Sequence, residues 1–145
     1  MNKEKFFTKT IDKLTTKLKI HAPIIKADKR IIRYIASVVM CHCEINGVKH
    51  HCPILKYNPV KLKTLQKWQL IYTALHELGH IKCEKATKKD TEYKAERFAH
   101  KAIRKYYPQY LERVIAYTEW VAENGSKIYR DAYKRVIDDY YRKKI

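Results

Sequence analysis

Ile45-Asn46-Gly47-Val48 joins two β-prone runs, and its reading decides the fold class. Asn-Gly suits the two-residue type I′ turn, because both central positions then need φ > 0. The turn sets a register. Ile45 falls opposite Val48, Glu44 opposite Lys49, Cys43 opposite His50, His42 opposite His51 and Cys41 opposite Cys52. Residues 31–57 therefore read as an antiparallel hairpin, rich in Ile, Val and Tyr, that ends at Asn58-Pro59.

Helical spacing lies on both sides of the hairpin. Phe7, Ile11, Leu14 and Leu18 mark a first amphipathic helix over residues 4–20, closed by Pro23. From Leu62 to Cys83, Leu65, Trp68 or Gln69, Tyr72, Leu75 and Leu78 recur every three to four residues. Asp90 is placed to cap a helix running to Tyr107, and Pro108 opens another that stops at Asn124-Gly125. In a last helix, with Ser126 as its cap, Tyr129, Tyr133, Ile137 and Tyr141 repeat every four residues. The expectation is an α+β fold: an N-terminal helix, a small antiparallel β-sheet built on hairpin 31–57, the helix of residues 62–83 packed with it and a mostly helical C-terminal half. With 145 residues, no internal repeat and no linker, residues 1–145 read as a single domain.

Composition narrows the classes. Only 3 Gly and 4 Pro argue against a turn-rich all-β fold. Hydrophobic residues, 46% of the chain, are enough for a core and argue against disorder. The net charge of +17 favours polyanions: nucleic acid, an anionic surface or an acidic protein partner. No run approaches the length of a membrane span, and Met1 to Phe7 shows no signal-peptide pattern. The four cysteines then read as reduced thiols of a cytoplasmic protein.

His76-Glu77-Leu78-Gly79-His80 carries the chemistry. Histidines at i and i+4 share one helix face, so both imidazoles can hold one zinc ion, with Glu77 beside them as base toward the water that zinc activates. A catalytic zinc takes three protein ligands. The extended motif with a third histidine needs one at position 86, where Ala86 stands. Two glutamates follow instead, Glu92 and Glu96, again at i and i+4 on one helix face.

Glu92-Tyr93-Lys94-Ala95-Glu96-Arg97-Phe98-Ala99, after this motif, resembles the ImmA/IrrE-type metallopeptidases among the gluzincins. Tyr57-Asn58-Pro59 and Ile71-Tyr72-Thr73-Ala74-Leu75 also resemble the strand and lead-in helix of that family and of SprT-like proteases. The likeness spans roughly residues 50–102. It departs at Lys94 and Glu96, where an acidic residue and Asn or Asp are usual, and in the Ile103-Arg104-Lys105-Tyr106 ending. The resemblance implies a zincin-type active-site helix, Glu92 as third zinc ligand and Glu96 as the carboxylate that orients a zinc histidine. It implies a metalloprotease: a hydrolase cutting protein or peptide substrates, with Zn2+ as cofactor, Glu77 catalytic and His76, His80 and Glu92 on the metal. On this reading the strand ending at Tyr57 borders the cleft and takes substrate by strand addition.

Other features have two readings. Cys41, Cys43, His50 and Cys52 share a hairpin face and could bind a second metal, although core packing is the ordinary reading of buried cysteine, and a Cys41–Cys52 disulfide is not expected in a reducing compartment. His100, on the same face as Glu92 and Glu96 four residues on, is left unassigned, since a lone helix histidine is more often structural. The 12 Tyr, several beside Lys or Arg, could stack bases, but their four-residue spacing fits a packing face. The alternative to a protease is a basic nucleic-acid-binding protein with a structural zinc site, or an enzyme acting only on DNA-bound proteins.

Overall fold

A computed structural model describes residues 1–84, 90–143 and 145, apart from the side chains of His42, Cys43 and His51. The elements run α1 (Lys3–Leu18), β1 (Ile24–Ala27), β2 (Ala36–Ile45), β3 (Val48–Tyr57), α2 (Pro59–Leu62), α3 (Lys67–Lys82), α4 (Thr91–Tyr106), a 3-10 turn (Pro108–Tyr110), α5 (Leu111–Asn124) and α6 (Lys127–Tyr141). The fold is α+β, with a helical C-terminal half. It divides into two compact units, Met1–Lys82 and Cys83–Ile145.

In the first unit β2 and β3 pair antiparallel in the register expected from the turn, from Ile45↔Val48 through Cys41↔Cys52. Asn46 (φ 52°) and Gly47 (φ 78°) both take positive φ, as a type I′ turn requires. Two features differ from the expected sheet. The strand opening the hairpin starts at Ala36 rather than Ile31. The sheet is also mixed rather than antiparallel, in the order β1-β3-β2, because β1 pairs parallel to β3 over Ile24↔Ile54 to Ala27↔Tyr57. A four-residue strand with a distant parallel partner leaves no local pattern in the chain.

Asn58 ends β3 and starts α2. Its carboxamide oxygen accepts from the Val60 and Lys61 amides (2.9 and 3.2 Å), and its side-chain nitrogen donates to the Ile31 carbonyl at 2.8 Å. The helical run expected from Leu62 is broken at residues 63–66. There the Gln69 side chain accepts the Gln66 amide at 2.7 Å, just before α3 begins. Helix α3 packs on α1 and on β2. Phe7, Ile11 and Leu14 of α1, Leu55 of β3, and Leu70, Leu75 and Leu78 of α3 are fully buried. The Phe7 ring meets Tyr57 edge-on at 5.6 Å, and the Tyr57 hydroxyl donates to Glu4 at 2.9 Å. Burial, then the Glu4 carboxylate, pushes the Tyr57 phenol up to about 12.

In the second unit α6 packs on α4 and α5. Val121, Ala122, Ala132 and Tyr133 form a cluster against which Tyr93 and Tyr129 pack. The buried face of α6 is Ala132, Tyr133 and Val136, so the tyrosine stripe is only partly a packing face: Tyr141 is exposed. Asp90 precedes α4 without a side-chain capping bond. Its carboxylate accepts from the Arg135 guanidinium at 2.7 Å, an attraction of opposite charges that holds it on α6. Ser126 likewise makes no side-chain cap. Gly125 ends α5 with ordinary negative φ; its need is space, since an added Cβ would lie 2.7 Å from the Val121 carbonyl oxygen.

Candidate metal centre

Helix α3 is apolar almost all round, as a helix buried within a domain must be. Leu70, Ile71, Ala74, Leu75, Leu78 and Ile81 are all buried. Among them stand two polar side chains that are also buried, His76 and Glu77, and the half-buried His80. Helical geometry puts His76 and His80 one turn apart on one face. Their ring centroids lie 4.9 Å apart with the rings at 80°. Tyr72, a turn earlier, brings its ring within 6.5 Å of His76.

Helix α4 carries the other expected residues. Glu92 lies half-buried in its first turn, where the helix dipole favours a carboxylate. Glu96 and His100 follow at four-residue intervals, and both are completely buried. The His100 Nε2 lies 3.2 Å from Glu96 Oε1 and 2.8 Å from Thr118 Oγ1 on α5. The Thr118 hydroxyl donates to the Val114 carbonyl at 2.8 Å. A hydroxyl has one proton, so with that proton on Val114 the His100 Nε2–H is the donor to Thr118 and Glu96. Tyr117, beside this trio, has its phenol raised first by burial and then by the Glu96 charge.

The expected site residues thus fall in two sets: His76, Glu77 and His80 on α3, and Glu92 and Glu96 on α4. Sequence reading left His100 unassigned and did not name Thr118 as a polar partner. The Glu96–His100 spacing of four was a visible signal for the first. Thr118 had none, since it occupies a position on the α5 core face that an apolar residue would fill as well.

Cys41 and Cys52 are not core residues. Cys41 and Cys52 are half-buried and His50 is exposed; the Cys43 side chain lies outside the described residues. Among the described residues, the group that could hold a metal does not include them.

Two imidazole nitrogens and a carboxylate oxygen are a fitting donor set for zinc with one position open. His76, His80 and Glu92 each offer one such atom. Comparisons with family models, with curated proteins and with solved structures find no match to the chain. No helix among the described residues is long and apolar enough to cross a membrane.

Proposed function

We propose that the chain is a zinc-dependent metallopeptidase in which His76, His80 and Glu92 hold the metal and Glu77 is the base. The observation that carries this reading is the α3 face, where two histidines 4.9 Å apart and a buried glutamate interrupt an otherwise apolar helix. Burying polar groups is costly unless each finds a polar partner, and a metal ion would be such a partner for the two imidazoles. The likeness of residues 50–102 to the ImmA/IrrE-type pattern supports the same reading and assigns Glu92 as third ligand.

When bound, zinc supplies a Lewis acid that polarises the scissile carbonyl and makes water acidic at neutral pH. Glu77 takes the proton of the attacking water and delivers it to the leaving amine nitrogen. Glu96, held by the His100 Nε2–H, is fit to accept a zinc histidine's second ring N–H and so select its tautomer. Strand addition moves to another strand than expected. β3 is paired on both sides at Ile54–Tyr57, so a substrate strand would pair with edge strand β2, which packs on α3.

The charge of +17 favours a second reading, a polyanion-bound protein, or a protease whose substrates sit on a polyanion. The exposed aromatics Tyr117 and Trp120 on α5, stacked at 6.5 Å, do not favour base stacking there: the helix carries Glu112, Glu119 and Glu123 against one Arg113.

Zinc content of the wild type and of Glu92→Ala tests the site. The wild type should hold about one zinc per chain and the variant should bind it more than about tenfold more weakly. Full occupancy in the variant would remove Glu92 from the ligand set. Salt-sensitive DNA binding by a chain that takes up no zinc would favour the second reading.

A further inference from the structure

The hairpin has a part that the proposed peptidase reading leaves unused. β1 pairs with β3 only over Ile54–Tyr57, so from Val48 to Pro53 the sheet is a two-stranded ribbon. Residues 44–50 of this ribbon are all exposed, including Ile45 and Val48. Two strands alone are marginally stable in water. Cys41 and Cys52 face each other close to the level where the third strand stops, at the root of this arm.

The ladder fixes what kind of pair they are. The Asn58 amide donates to the Ile35 carbonyl at 2.8 Å, while the Tyr57 carbonyl turns the other way and accepts from the Asp28 amide at 2.8 Å. Even-numbered β3 residues therefore form the hydrogen-bonded pairs with β2, and odd-numbered ones do not. Pro53, opposite Met40, fits this count, because its missing N–H would have pointed away from β2. Cys52 is even, so Cys41–Cys52 is a hydrogen-bonded pair, with Cα atoms about 5.5 Å apart. That Cα separation is within the most common disulfide range, while the Cβ atoms of a hydrogen-bonded pair, at the wide end of about 4.5–5.5 Å, must close by about 1 Å, which leaves the bond strained and readily reduced. Both thiols are half-buried, so an exchange partner can reach them.

We propose that Cys41 and Cys52 are an oxidative modification site, a dithiol that closes to a cross-strand disulfide with a low-molecular-weight disulfide as oxidant. One thiol loses its proton and attacks the oxidant's S–S bond, forming a mixed disulfide and releasing one small thiol. The second cysteine, deprotonated in turn, attacks the protein sulfur of that mixed disulfide. The Cys41–Cys52 bond forms and a second small thiol leaves. Two protein thiols are oxidised and one small disulfide is reduced to two thiols. The closed pair staples the arm where it parts from β1.

The test uses the full chain with oxidised glutathione, followed by denaturation, alkylation and mass spectrometry. The expected product is lighter by about 2 Da, the two hydrogens lost, before alkylation. Tryptic peptide 34–49 should be joined to 50–56, with Cys83 still alkylated. The folded chain should close at least about tenfold faster than the chain in urea, because the ladder holds the two sulfurs together. Cys43→Ser should keep the link and Cys41→Ser should abolish it. A link that survives Cys41→Ser, a product that stops at mixed disulfides, or equal rates with and without urea would overturn the proposal. So would protection of these thiols by added zinc that a chelator reverses, which would mark a metal site instead.

Discussion

Helices α3 and α4 have sixteen residues each, and each carries polar side chains one turn apart, yet they are built on opposite terms. α3 is buried on nearly every side, and its polar residues interrupt a wall of Leu, Ile and Ala. α4 is amphipathic, and its buried polar residues, Glu96 and His100, face each other and Thr118. The contrast gives the proposed roles a structural basis: the polar residues of α3 stand in an apolar wall, where the proposal puts the metal and the base, and those of α4 form a hydrogen-bonded set, where it puts positioning.

The largest expected effect lies in the chemistry of α3. Glu77→Gln should keep zinc and thermal stability while lowering peptide cleavage by about 10²–10⁴-fold. A variant that lost zinc along with activity would place Glu77 in the metal's support instead. Next is the apolar wall. Leu75→Ala, at a fully buried position, should cost about 2–5 kcal/mol in urea unfolding. A loss under 1 kcal/mol would mean that α3 is less tightly enclosed than its burial shows.

On α4 the effect should be smaller and shared. Thr118→Val removes one acceptor of the His100 Nε2–H and should cost about 1–3 kcal/mol. Combined with Glu96→Gln it should be non-additive, since the two groups serve one proton. Strict additivity in the double-mutant cycle would break the view of a coupled trio.

The smallest effect concerns Tyr57, whose phenol gives a pH signature. Below its usual value near 10 the phenol is neutral in folded and unfolded chains alike. Above that, the unfolded chain releases the proton while the folded one keeps it to about 12. Its contribution is therefore full below pH 10 and is lost as pH rises to 12. Tyr57→Phe should cost about 1 kcal/mol at neutral pH through the lost bond to Glu4. Its stability should also fall less steeply than the wild type's across that window, and parallel curves would refute the assignment.

Legibility followed the range of the interactions. A two-residue loop with two positive-φ positions admits one register, so the hairpin pairing could be written down pair by pair from Asn46-Gly47. The His76–His80 face was legible because helical spacing is local. β1 was not, because its partner lies thirty positions along the chain and four residues carry no period. Asp90 carried a capping signal that the charge of Arg135, forty-five residues away, overrode. The role of Thr118 depends on a neighbouring helix, and no spacing within α5 reveals it. The two cysteines were placed opposite each other correctly, but their half-exposure depends on what covers the sheet face, which the strand pattern does not carry.

Pro53 has one more consequence. Extending the β1–β3 register by one step sets Pro23 opposite Pro53, two residues that both lack an amide proton. Odd-numbered β3 residues turn their amides toward β1, so Pro53 supplies no donor where the next parallel bond would form, and pairing stops at that level. The bare ribbon beyond it, with Ile45 and Val48 exposed, is the kind of edge on which chains zip together into aggregates. Pro53 leaves a gap in that ladder at the root of the arm, so a strand that paired along the β3 edge from the β1 side would meet a missing amide there.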